Sequence, residues 1–387
     1  MKLANDLLTR AVANVIPRPL AEEKLKSKKP LRVYWGIDPT GTKLHLGHTV
    51  PMRKLKQFAD AGHHVILVIG SFTAMIGDPS GRDTMREPLT KEQVKANFRT
   101  YKEQASRILD FGKIEVRENH EWLEKLRFEE ILKLASHFTV QQMEERAMFA
   151  ERMNKGKPVS VHEFLYPLMV GYDSVTLDVD CELGGTDQEF NMLAGRTMQK
   201  AFGKRKKFVL TTKLLEGLDG RKMSKTYGNC VYIEDPPNEM YGKLMSLKDE
   251  LIPIYMECCT DIPMDEIIII EKKMIQEENP MQFKKQLAEE IVRIYHGEKA
   301  AKEAADGFSN VFAKGELPED IPQIKAKKGE SLLDVLLHAG MISSKNDGRR
   351  LLEQGGIHLD DKKISDGNSP ATPGVYKVGK RKFVKIC

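Results

Sequence analysis

The chain has 387 residues, enough for two or three domains with a sizeable core, and a formal net charge of +5. It holds no run near the ~18 apolar residues of a membrane span, and its start, MKLANDLLTRAVANVIPRP, lacks a signal peptide's apolar core and cleavage site. Cys181, Cys230, Cys258, Cys259 and Cys387 form no C-x-x-C and no zinc-like spacing, which speaks against a zinc site or disulfide framework and for reduced thiols in a cytosol.

The charge is unevenly placed. From Lys325 to Cys387 there are 13 Lys and Arg against 7 Asp and Glu, while the rest of the chain carries 48 against 49. A nearly neutral body with a basic tail points to a polyanionic partner such as nucleic acid; a solvated lysine-rich surface is the alternative.

In chain order, residues 1–30 read as helical and end in the basic loop KLKSKKP. Leu31 to Ile37 reads as a buried first strand. It runs through the loop formers Gly36, Asp38, Pro39, Thr40 and Gly41 into a segment carrying His45 and His48, then a helix over residues 49–62 that stops at Gly62. HVILVIG reads as a second strand, leading into a Gly/Asp/Pro loop that holds Asp78. Strand, helix and strand at this spacing make a βαβ unit, whose ligands sit at the carboxyl ends of the strands. The loop after Ile37 and the loop holding Asp78 should therefore flank one crevice.

Residues 84–112 are charged and helical, and residues 119–160 read as helices inserted between the sheet halves. VTLDVDCELGG reads as a strand into a glycine loop. Residues from about 235 to 312 recur at helical spacing and end in the Pro/acidic linker KGELPEDIPQ. Residues 327–387 read as a compact α+β tail, with two short helices (SLLDVLLHAG and SSKNDGRRLLEQGG) and then strands.

Four constellations carry chemistry. His45 and His48, with Thr40, stand at a helix start, where bare backbone N–H groups and the dipole favour anions, phosphates above all. Such a pair also occurs on surfaces and in cores; the DPTG loop before it favours a nucleotide approaching the backbone. GRKMSKT, residues 220–226, is a glycine-led loop whose Lys222 and Lys225 can clamp a triphosphate as point charges, with hydroxyls from Ser224 and Thr226. It is no Walker loop, because G-x-x-x-x-G-K-[ST] does not occur. In ELGGTDQEFN, Gly184 and Gly185 permit close backbone approach, while Asp187 and Gln188 supply a ribose acceptor and an amide. An ordinary turn would look similar. In FLYPLMVGYDS, Tyr166 and Asp173 lie seven apart and share a helical face, and a buried carboxylate there needs a donor such as a substrate hydroxyl.

Together these motifs resemble those of class I aminoacyl-tRNA synthetases, specifically the bacterial tyrosyl family, over the whole chain. HLGH at 45–48 resembles the family's first signature and KMSKT at 222–226 its second, with Thr226 where Ser is commonest. MIGDPSG, YPLM-GYDS and GGTDQ fill the intervening positions in the family's order. The resemblance implies a Rossmann-like parallel-sheet catalytic domain over residues 1–226, with a helical dimerisation insert at about 119–165. An α-helical anticodon-recognition domain over 227–313, a linker over 314–326 and an S4-like RNA-binding domain over 327–387 follow.

It also implies roles. Tyr34 and Asp173 match the pair that hydrogen-bonds the substrate phenol. A site built around a hydroxyl rejects the analogue lacking it, a relation that a tyrosyl enzyme itself commonly illustrates. Asp78 and Tyr166 match residues at the substrate ammonium, and Asn119 and Gln188 match further pocket residues. Val170 stands where the family usually has Gln, which implies weaker or rearranged ammonium binding. Gly36, Asp38, Gly185 and Asp187 match the adenosine side. Thr40, His45, Lys222, Lys225 and Thr226 match groups that stabilise pentacoordinate phosphate and departing pyrophosphate, with His48 beside them and Arg82 and Arg86 reaching toward pyrophosphate. The implied reaction joins L-tyrosine to tRNA(Tyr) through tyrosyl-adenylate. ATP brings Mg²⁺, no protein-bound metal is expected, and the enzyme is a cytoplasmic homodimer. The rivals are a tryptophanyl enzyme and a catalytically silent RNA-binding paralogue.

Overall fold

The computed structural model describes residues 6–78, 89–144, 147–223, 227–276, 278–313, 321–327, 329–342, 344–360, 362–379 and 382–387. The chain divides into two compact units: Met1–Pro236 with Lys243–Gly297, and Pro237–Gly242 with Glu298–Cys387.

The first unit is built on a six-stranded sheet. Its strands are β1 (Val12–Ile16), β2 (Arg32–Ile37), β3 (His64–Ile69), β4 (Ile114–Glu118), β5 (Cys181–Gly185) and β6 (Phe208–Thr212), in the order β1-β6-β5-β2-β3-β4. All neighbours are parallel except β1, which runs antiparallel to β6. In β2 and β3 the apolar residues are buried almost without break, as in a parallel sheet covered on both faces. From β2 the chain adds β3 and β4 on one side, then returns to the other side for β5 and β6. The order thus reverses between β2 and β5, the place where open α/β sheets form ligand crevices.

In this unit three expectations are corrected. Residues 12–16, expected to be helical, form β1, so Leu31–Ile37 holds the second strand. Pairing with β6 supplies backbone partners that no local pattern reveals. Residues 114–118, IEVRE, were assigned to no element; they form the sheet's edge, where charged side chains suit a strand with one open side. VTLDVDCELGG is split: Val175–Leu177 ends the helix Val161–Leu177, Asp178 turns left-handed at φ +46°, and β5 begins at Cys181.

The helix Leu46–Asp60 crosses from β2 to β3, and Gly62 beyond it takes φ +83°. The helices Val161–Leu177 and Glu189–Ala201 cross closely. A Cβ on Gly171 would lie 3.3 Å from the backbone nitrogen of Gly195, so glycine sets their separation. Among the described residues between β4 and the first of them lie four short helices, His120–Leu123, Phe128–Ala135, Val140–Glu144 and Ala147–Asn154. The helices Ile252–Cys259, Met264–Ile275 and Met281–His296 belong to the same unit. Arg10 pins the first of these by donating to the carbonyls of Met256, Glu257, Thr260 and Ile262 at and just beyond the helix end.

In the second unit, helices Leu332–His338 and Lys345–Glu353 lie with a five-stranded sheet. Its strands are β7 (Gln323–Ile324), β8 (Ile357–Leu359), β9 (Lys362–Lys363), β10 (Gly374–Val378) and β11 (Lys382–Ile386), in the order β7-β11-β10-β8-β9. Residues 323–324, expected in the linker, pair parallel with β11. Leu332, Leu336, Ile357, Tyr376 and Val384 make its core. Ser331 and Ser344 cap the two helices through Asp334 N and Asp347 N. No helix among the described residues is long and apolar enough to cross a membrane.

Candidate active site

Parallel strands β2 to β5 deliver their carboxyl ends to one cavity of about 620 Å³. Tyr34 and Gly36 come from β2, and Asp38 and Thr40 from the loop after it. Asn119 follows β4, and Gly185, Asp187 and Gln188 come from the end of β5. Asp78 follows the short helix after β3, and Tyr166, Val170 and Asp173 descend from the helix Val161–Leu177. His45, His48 and Lys222 also line the cavity. Arg82, Arg86, Lys225 and Thr226, expected at the phosphates, lie outside the described residues.

Gly70, just past β3, shows how tightly the floor is built. A Cβ there would stand 1.7 Å from Asp38 Oδ1. Asp38 is held from two sides: Thr73 Oγ1 donates at 2.7 Å and the Tyr166 hydroxyl at 2.9 Å. Tyr166, expected beside Asp78, thus gives its proton to Asp38. Burial raises its phenol well above the usual range, and Asp38 adds to the rise. Asp78 instead accepts from Gln188 Nε2 at 2.7 Å, and Gln188 Oε1 accepts from Asn191 Nδ2 at 2.8 Å. Val170 packs with the apolar cluster of Tyr34, Trp122 and Tyr166.

At the deep end Tyr34 is 1 % exposed and Asp173 4 %. Asp173 accepts from Trp122 Nε1 at 2.7 Å and Asn119 Nδ2 at 3.3 Å. Burial raises its carboxyl well above the usual range, against the pull of those two donors. The Tyr34 hydroxyl lies 3.1 Å from Ser174 Oγ. Ser174 accepts from Lys207 Nζ at 2.8 Å and donates to Glu182 Oε2 at 3.1 Å, and Lys207 and Glu182 form a buried ion pair. Burial pushes the Lys207 ammonium down, while Glu182 beside it raises it.

The sequence reading missed Ser174, Glu182, Lys207, Trp122 and Thr73. A signal existed for two of them. Glu182 interrupts a buried strand and Lys207 abuts another, and charges in such places need partners.

The outer end begins at His45, the N-cap of the helix Leu46–Asp60. Its backbone N–H donates to His48 Nδ1 at 3.2 Å, and the two rings stack with centroids 3.8 Å apart. Two backbone bonds clamp this helix start, Leu46 N to Val231 O at 3.0 Å and Ile233 N to Leu44 O at 3.1 Å. A Cβ on Gly47 would press to 3.0 Å from the His45 ring. Across from it, Lys222 Nζ stands 3.9 Å from Asp187 Oδ2, with side chains 58 % and 34 % exposed, so solvent weakens that pairing. The turn carrying Lys222 is closed by Gly217 N donating to Arg221 O at 2.7 Å, and Gly220 within it takes φ +79°. Asn229 Nδ2 ties it down by donating to Asp219 Oδ1 at 2.8 Å and Lys222 O at 3.1 Å. Asn229 and Arg221 hold the Asp219 carboxyl below the usual range.

Residues 26–313 match the family described as tRNA synthetases class I (W and Y). The tyrosine–tRNA ligase of Thermotoga maritima is 47 % identical over 385 residues, covering 98 % of this chain and 96 % of that protein. The tyrosine–tRNA ligase of Photobacterium profundum is 44 % identical over 382 residues, covering 98 % and 97 %. A C-terminally truncated mitochondrial tyrosyl-tRNA synthetase of Aspergillus nidulans matches in fold with a TM-score of 0.67 at 23 % identity, covering 80 % of this chain and 93 % of that one.

Proposed function

Because the chain belongs to the class I tRNA synthetases for tryptophan and tyrosine, and within them to the tyrosine–tRNA ligases, we propose that its cavity divides into a tyrosine end and an ATP end. The reaction is that of the family: L-tyrosine and ATP give tyrosyl-adenylate and pyrophosphate, and tyrosine passes to tRNA. The convergence of the described candidate residues on one cavity, with Tyr34 and Asp173 buried at its deep end, carries the division.

In this reading Tyr34 and Asp173 receive the phenol, with Asn119 holding Asp173. Asp78, Gln188 and Tyr166 face the ammonium, and Val170 leaves that side without the amide common in the family. Gly36 is open: a Cβ there would meet nothing closer than the Tyr34 ring at 4.0 Å, so adenylate can approach the backbone. Asp38, Gly185 and Asp187 serve the adenosine. The tyrosine carboxylate is already ionised at neutral pH and attacks the α-phosphate without a general base. Catalysis is then positioning plus stabilisation of charge on the phosphates. The helix start at His45 and His48, with Thr40 and Lys222, supplies it, and Lys225, Thr226, Arg82 and Arg86 are assigned to the same task. ATP enters as its Mg²⁺ complex, the metal arriving with the substrate.

ATP–pyrophosphate exchange tests the assignment of the amino acid. Exchange is expected with tyrosine and not tryptophan; the reverse would overturn it, and no exchange with either would favour the silent paralogue.

The remaining organisation is proposed on surface chemistry. Phe128, Leu132, Val140 and Val161 are 74 %, 55 %, 66 % and 79 % exposed, apolar side chains that support a homodimer paired through residues 119–165. Lys345, Arg349, Arg350, Lys362 and Lys363 are exposed on the tail, which supports an S4-like domain over 327–387 that holds tRNA(Tyr) by its phosphates. The helical segment 227–313 is assigned to the anticodon, and the need for tRNA assigns the enzyme to the cytoplasm.

A further inference from the structure

We infer that Ser174, Glu182 and Lys207 are positioning residues that hold the Tyr34 hydroxyl ready to read the substrate phenol, and so sharpen the choice of tyrosine over phenylalanine. The inference rests on the placement of Tyr34 and Asp173 at the phenol.

The proton count on Ser174 carries it. A serine hydroxyl has one proton and two lone pairs, an ammonium only donates, and a carboxylate only accepts. Lys207 Nζ, at 2.8 Å, takes one lone pair, and Glu182 Oε2, at 3.1 Å, takes the proton in a charge-assisted bond. What is left for Tyr34, at 3.1 Å, is the second lone pair, so Tyr34 is the donor. Its O–H is held on Ser174, and its oxygen can face the cavity as an acceptor. Asp173, already served by Trp122 and Asn119, is the second acceptor there. Tyrosine brings one O–H proton to these two acceptors, and phenylalanine brings none.

The cluster is expensive to build. Lys207 and Glu182 have side chains 0 % and 4 % exposed, and a buried ion pair is often no more stabilising than apolar residues of the same volume. The surroundings are shaped for it. Glu182 lies directly beside Tyr34 in the β2–β5 register. A Cβ on Gly195 would stand 2.6 Å from both Lys207 Nζ and Ser174 Oγ.

Ser174→Ala removes the hydroxyl that links Tyr34 to the ion pair while leaving the pair itself whole. In ATP–pyrophosphate exchange, kcat/KM for tyrosine should fall about tenfold, as for one lost hydrogen bond, with the value for phenylalanine and the KM for ATP unchanged. In a Tyr34→Phe background the same substitution should add nothing, because Ser174 acts through that hydroxyl. An unchanged tyrosine-to-phenylalanine ratio in Ser174→Ala, or an equal loss in the Tyr34→Phe background, overturns the inference. If Tyr34→Phe alone leaves the ratio unchanged, the placement of Tyr34 at the phenol fails and this inference with it. Ser174→Cys, near in size and a weaker hydrogen-bonding group, should shift the ratio the same way if the alanine variant does not fold.

Discussion

At the deep end of the cavity, Tyr34 and Asp173 are 1 % and 4 % exposed and sit among hydrogen-bonded neighbours, whereas at the outer end Lys222 is 58 % exposed and meets Asp187 at 3.9 Å. The first arrangement is buried and held by hydrogen bonds. A ligand that mismatches it strands buried polar groups, so it selects. The second keeps a cation in solvent, where it attracts a polyanion over several ångströms but discriminates little. His45 is intermediate. It stands at a clamped helix start, where developing phosphate charge would meet fixed donors.

The largest effect that would sharpen this contrast is on turnover. His45→Ala should lower kcat for adenylate formation by about 10²–10³-fold, the usual loss for one preorganised donor, and leave tyrosine affinity within about twofold. Rapid-quench kinetics and equilibrium dialysis check the two halves; a matching loss of tyrosine binding would mean that the two ends are not separable. Next is Asp173→Asn, which keeps the shape but replaces the charged acceptor. Tyrosine Kd should rise by roughly 10–100-fold, as for a hydrogen bond to a charged group, while the KM for ATP stays put. An equal rise in both constants would point to general disruption of the pocket.

A smaller loss, roughly tenfold in kcat/KM for ATP, is expected of Lys222→Met at low ionic strength. Because the ammonium is exposed, the gap between variant and parent should narrow as salt rises from about 0.1 M toward 0.5 M, roughly a halving of the Debye length. A salt-independent deficit would argue for a packing role. The smallest effect concerns Val170→Gln. Restoring an amide near Asp78 and Tyr166 should tighten tyrosine binding by about 2–10-fold, one ordinary hydrogen bond, without moving ATP. An unchanged or raised tyrosine KM would show that Gln188 or another group already fills that role. Removal of residues 327–387 should spare exchange and weaken aminoacylation; equal survival of both would separate the tail from tRNA.

The outer end was the more legible in sequence. Its groups cluster in short stretches, DPTGTKLHLGH and GRKMSKT, because a helix start or a tight turn needs only local residues and leaves a local pattern. The deep end was legible only in Tyr34, Asp173 and Asn119. Their supports lie far apart in the chain: Trp122 reaches Asp173 across 51 residues, and Lys207 reaches Ser174 across 33. Strand β1 escaped notice for the same reason, since its partner β6 lies some 200 residues away.

By itself, then, the amino-acid order determined the parallel βαβ core, most of the helical segments, the basic tail and many of the groups that line the cavity. Apolar period, glycine and charge are local properties that survive in one dimension. Only the tertiary structure decided which proton each group gives and to whom. Tyr166 donates to Asp38, Gln188 to Asp78, and Ser174 stands between Tyr34 and a buried ion pair. Hydrogen-bond partners are chosen by distance in space, and burial makes each choice costly to leave unmade.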